Sequence, residues 1–118
     1  MMQRLIIQMA QGVDQTGLSM QRAAEKATKR ALSQANLAAP ELLGLSPDEM
    51  LTKITVGVPN PQDVDADALA AWNKVGPTDA SVIEGGLLTR DPETGATQIV
   101  ATAAAEIFLP KQSTWRLR

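Results

Sequence analysis

Residues Thr97 to Leu109 constrain this chain more than any other stretch. They read as one long strand that is apolar on both faces. Ile99, Ala101, Ala103, Ala105 and Ile107 line one side, while Val100, Ala104 and Phe108 interrupt the polar residues of the other. A strand that is apolar on both faces is buried on both. One cover has to come from helices. The second comes either from another copy of the sheet or from the connection around Leu42 to Leu45. A second copy suits a ring in which sheets from several subunits surround a common axis.

The rest of the chain supplies the partners of that strand. Leu5 to Ala10 alternates as a strand, with Leu5, Ile7 and Met9 on one face and Ile6, Gln8 and Ala10 on the other. Gly12 is expected to end it. Ser19 is a suitable N-cap for a helix whose inner face carries Met20, Ala23, Ala24, Ala27, Ala31 and Ala35. Small residues let such a helix sit close on a sheet. Its wet side holds Arg22, Lys26, Lys29 and Arg30, with Glu25 and Lys29 spaced as an i,i+4 pair.

Met50 to Val58 reads as a second strand stopped by Pro59-Asn60-Pro61. Asp65 can cap a short helix that turns Leu69, Trp72 and Val75 inward, and Gly76-Pro77 is a stop signal. Ser81 to Leu88 is a third strand, joined to the fourth through the turn Asp91-Pro92-Glu93-Thr94-Gly95. The order is β-α-β-α-β-β. It predicts an α+β domain over residues 1–110, with a mixed four-stranded sheet and both helices on one face. Residues 111–118 form a basic tail around Trp115.

Composition removes several functions. The chain of 118 residues has no Cys and no His, so it supplies no thiol, no imidazole base and no Cys/His zinc or haem site. The net charge of −2 and the scarcity of aromatics, at 3 per cent, argue against nucleic acid as a partner. No apolar run reaches the roughly 20 residues of a membrane span. Met1 to Met9 is too short for a signal segment, so the expected location is cytoplasmic. One Phe, two Trp and no Tyr leave an alanine-rich core that buries little area per residue. Self-association would compensate, so an oligomer is expected.

Four places carry concentrated polar or glycine chemistry. The junction Gly12-Val13-Asp14-Gln15-Thr16-Gly17 leads from strand to helix, where free N–H groups favour an anion. There Gly12, Asp14, Thr16 and Gly17 are candidate ligand-binding residues; alternatively Asp14 closes a turn and the glycines serve the backbone. Asn60, held between two prolines, is a further candidate, against a plain strand stop. Glu84, followed by Gly85 and Gly86, is an acid/base candidate, against a bulge with Glu84 in water or paired to Lys53. The tail is either a neighbour contact or a loose end. Asp14 and Glu84 would form a catalytic carboxylate pair, or hold Mg²⁺, if they met.

The run Ile6 to Gly17 resembles the N-terminal signature Gly-x-Gly-x-Asp-x-His-Gly. That signature marks an uncharacterised conserved-hypothetical family of small bacterial proteins, named after a locus tag and present in plants behind a long extension. The likeness continues through Val56-Gly57-Val58-Pro59-Asn60-Pro61 and Val82-Ile83-Glu84-Gly85-Gly86-Leu87, over nearly the whole chain. Gly12, Asp14 and Gly17 match; Ala10 stands for the first glycine and Thr16 for the histidine. The resemblance implies that this chain lacks one titratable group its relatives carry. A hetero-oligomer with a His-bearing paralogue follows as an expectation, in which this chain is a structural or regulatory partner. The element order also resembles trimeric chorismate-mutase-type domains and the repeats of ring-opening amidohydrolases, which place ligands between subunits or repeats. That likeness implies a ring-like trimer or hexamer with a small-molecule site at its interfaces, or an amidohydrolase-like enzyme. The Ser–Lys pairing of those amidohydrolases is absent from the comparable strand ends, which carry Gly57 and Ile83.

Overall fold

The computed structural model describes residues 2–16, 19–38, 50–73 and 76–110. Readings placed on Gly17, on Leu42 to Leu45, on Val75 and on the tail 111–118 lie outside these residues.

The elements run β1 (Met2–Asp14), α1 (Met20–Ala38), β2 (Leu51–Val58), a 3-10 turn (Pro61–Asp63), α2 (Ala66–Ala70), β3 (Thr78–Glu84), β4 (Leu87–Arg90) and β5 (Thr97–Pro110). The sheet order is β1-β5-β2-β3, and β4 also pairs with β5. The long apolar strand is therefore central. One flank of β5 pairs antiparallel with β1 along its length. The other flank pairs with β2 from Thr102 to Phe108 and with β4 from Thr97 to Val100. β2 and β3 run parallel. The α+β class and the mixed sheet stand as expected, with five strands rather than four.

The fifth strand arises from Gly85 and Gly86. Ser81 to Leu88 reads in sequence as one strand, but the chain breaks between Glu84 and Leu87. β3 follows the outer edge of β2, then steps across the end of β2 to pair directly with β5. Gly85 donates its N–H to the carbonyl of Val58 at 2.9 Å. A Cβ on Gly85 would lie 3.2 Å from the Cα of Gly57. Gly86 has φ +66°, and a Cβ there would overlap the carbonyl of Val100. Two glycines followed by an apolar pair thus mark a crossing rather than a strand interior.

Gly12 also departs from expectation. β1 does not end at it but continues to Asp14. Gly12 faces α1, where a Cβ would overlap the backbone of Ala23, Lys26 and Ala27. The glycine permits close approach of helix and strand, without turning the chain.

The core lies between α1 and the sheet. Ala23, Ala24, Ala27, Ala31 and Ala35 are all fully buried against Ala101, Ala103 and Ala105, with Ile54, Ile99 and Ile107 filling the space around them. Leu69 of α2 joins them on the same face. Ser19 caps α1 by accepting the Arg22 N–H at 3.0 Å, and Asp65 caps α2 through the N–H groups of Asp67 and Ala68. Trp72 does not turn inward: it is 40 % exposed, with the Lys29 ammonium 3.8 Å from its ring centroid. Glu25 accepts from Gln21 instead of pairing with Lys29.

Candidate functional site

β1, β2 and β3 are mutually parallel, because β1 and β2 both oppose β5. Their carboxyl ends therefore lie at one end of the sheet. The Gly12–Thr16 junction, Asn60 and Glu84 all follow from those ends, which are the usual place for ligands in sheets with parallel strands.

At the junction, Asp14 is buried. Its Oδ2 accepts the Thr16 hydroxyl at 2.7 Å and the Ser19 N–H at 2.9 Å. Ser19 is the cap of α1, so the carboxylate sits at the positive end of the helix, where negative charge is favoured. The start of α1 thus holds a carboxylate of the chain itself. Asp14 clips the turn between β1 and α1 and fixes where the helix starts.

Beside this clip the helix reaches back to the sheet. Lys26 donates to the carbonyl of Val13 at 3.0 Å, and Arg30 to that of Gln11 at 3.2 Å. β1 is an edge strand, and these cations occupy its outward carbonyls. Charged caps of this kind block edge-to-edge pairing. A cleft of about 560 Å³ lies along the same edge, lined by Gly12, Val13, Gln15, Lys26, Lys29 and Arg30. In the sequence the three cations read only as a wet helix face. Their i,i+3 and i,i+4 spacing opposite Gly12 was the available signal.

Asn60 donates through Nδ2 to Asp63 at 2.7 Å and so braces the 3-10 turn. Glu84 is exposed at the end of β3, in register with Val58. It does not reach Lys53, which lies in register with Asp79 and Glu106. Asp14 and Glu84 share an end of the sheet, but β5 and β2 run between their strands. At about 4.8 Å per strand they stand roughly 14 Å apart, too far to share a proton or a small cation. No three acidic side chains gather into a metal cradle among the described residues. None of their helices is long and apolar enough to cross a membrane.

The second face of the sheet is the other open feature. Ile7, Met9 and Ile83 are exposed on it at 44, 70 and 53 per cent, and Leu87 at 61 per cent. The face also carries Phe108, Leu51 and Val100.

These features define a small α+β protein built as a split β-α-β unit, with its last strand inserted at the centre and its helices on one side. The chain belongs to a conserved hypothetical protein family, Lin0512_fam, whose family model matches residues 4–107. It is also similar to the crystal structure of an FtsZ-like protein of unknown function from Nostoc punctiforme. The identity is 30 %, the TM-score is 0.79, and the match covers 93 % of this chain and 98 % of that one. No curated protein matches the chain.

Proposed function

We propose that this chain is one subunit of a ring-like oligomer that buries the open sheet face, with a small-molecule site where subunits meet. The exposure of Ile7, Met9, Ile83 and Leu87 on one face carries this reading. A sheet sealed by helices on one side and apolar on the other is half of a sandwich. The site would lie at the carboxyl ends of β1, β2 and β3. Gly12, Asp14, Thr16 and Asn60 would shape one wall, and Glu84 would be an exposed carboxylate offered to a ligand or to the neighbouring subunit.

An amidohydrolase-like enzyme draws less support, because Asp14 already serves the chain's own backbone and stands apart from Glu84. The reading as partner of a His-bearing paralogue rests on one contact. Thr16 donates its hydroxyl to Asp14, and an imidazole N–H in its place could donate to the same carboxylate. Relatives with His would then have an oriented ring where this chain has a hydroxyl.

Native mass spectrometry of the assembly purified from its own cells tests these readings together. A homomeric multimer that retains a small molecule is the expected result. A second, His-bearing chain in the complex would establish the paralogue reading. A monomer at concentrations up to about 200 µM, where a complex worth some 5 kcal/mol of association would already be detectable, would overturn both.

A further inference from the structure

The open face carries a pattern that says how a second copy sits on it. At one level of the sheet, Glu106 of β5 lies beside Lys53 of β2, and Lys53 lies beside Asp79 of β3. The Arg4 guanidinium reaches in from β1 to Glu106 at 3.1 Å. Across the four strands the charges therefore alternate: plus, minus, plus, minus. This row crosses an otherwise largely apolar and small-residue face. Phe108 and Leu51 lie in register on one side of it, and Val100 and Leu87 on the other. Between them are Ala104, Thr55, Thr102 and Gly57. Resting on the reading that copies of this chain cover the face, we infer that the covering copy is related by a two-fold axis parallel to the strands, passing between β5 and β2.

Such an axis keeps each residue at its level and reverses the strand order. Glu106 then faces Lys53 of the second copy, and Lys53 faces its Glu106. Asp79 meets the Arg4 guanidinium. Phe108 faces Leu51, and Val100 faces Leu87, so apolar meets apolar on both sides of the charged row. The small residues between let two sheets approach to about 10 Å. A two-fold axis running across the strands instead would set Lys53 on Lys53 and Glu106 on Glu106. Like charges facing one another across an interface repel, which disfavours that packing. The row works as an orientation device; the apolar rows supply the affinity, because desolvating charge offsets most of what pairing returns. The inference selects assemblies that contain two-fold axes, a dimer or a hexamer, over a trimer.

Charge reversal provides the test. In Lys53→Glu, both facing pairs of a homodimer become acid on acid; in Glu106→Lys, both become base on base. Each variant alone should weaken association at least about 100-fold in sedimentation velocity. An equimolar mixture should recover a complex, because each variant then faces its opposite, and native mass spectrometry should show the two chains in a 1:1 ratio. Circular dichroism checks that each variant is folded. Leu87→Asp, which leaves the charged row intact, should dissociate the wild-type assembly as well and covers the case in which a reversal unfolds the protomer. Folded reversal variants that assemble like the wild type, or that fail to recombine when mixed, overturn the two-fold arrangement. A trimeric wild type overturns it while leaving the covered face standing. A monomeric wild type overturns both.

Discussion

β5 separates two surfaces made from one strand, and they are built differently. On the helix side, Ala101, Ala103 and Ala105 are sealed beneath the alanines of α1. On the other side Val100, Thr102, Ala104, Glu106 and Phe108 are only half-buried. The helix side leaves no room for a larger side chain. The open side mixes small, charged and large residues, as surfaces do that meet a partner. Burial alone therefore does not explain why β5 is alanine-rich. Alanines facing α1 set a helix distance, whereas Ala104 leaves space that nothing among the described elements fills.

The sealed side is most sensitive at its closest point, Gly12 against α1. Gly12→Val pushes a branched side chain into the backbone of α1, and we expect a loss of about 3 kcal/mol or more, or failure to fold, in urea unfolding. Asp14→Ala should cost about 2 kcal/mol, since it removes a buried carboxylate that accepts the Thr16 hydroxyl and the Ser19 N–H at a helix start. Its signature is faster amide exchange from Ser19 to Arg22, with the sheet amides little changed. Two neighbours in β5, Ala103 and Ala104, face opposite sides of the sheet. Ala103→Leu should cost about 1–3 kcal/mol by overpacking, whereas Ala104→Leu should stay within about 0.5 kcal/mol in the protomer and alter association instead. Equal losses for the two would mean that the faces are not distinct. Ser19→Ala should cost about 1 kcal/mol through the lost cap. Lys29→Ala is the smallest, at about 0.5 kcal/mol, because its contact with Trp72 is exposed.

Much of this architecture is legible where a periodic pattern has a single meaning. The helix face from Ala23 to Ala35, the alternation from Ile99 to Ile107 and the caps at Ser19 and Asp65 are of that kind. Glycines carry two meanings, and there the reading diverges from the structure. Gly12 looks like a strand stop because glycine usually ends strands, but it marks a helix pressed on a strand. Gly85 and Gly86 look like an odd strand interior, but they mark a crossing over the end of β2. Both depend on a neighbour distant in the chain, which no local window contains. The candidate site was legible as a set of chain positions, not as a constellation. Asp14, Asn60 and Glu84 do share one end of the sheet, yet the distance between Asp14 and Glu84 depends on which strands lie between them. The spacing of Trp72 from Leu69 points its ring inward; the ring instead lies against the Lys29 ammonium, which a wide, amphipathic side chain tolerates.

The central position of β5 sets the order of events during synthesis. β1 is made before the other elements, but its one sheet partner among the described elements begins at Thr97. Until then α1 can rest on β1 but cannot close a core, and β2 lacks the neighbour on its inner flank. Folding must wait for contacts between the most distant parts of the sequence, which makes it slow. During that wait both edges of β1 are open to other nascent chains. The cations of α1 reach the outer one and are made directly after it. Lys26 and Arg30 can therefore guard β1 on the ribosome, long before the strand that finally occupies its other side exists.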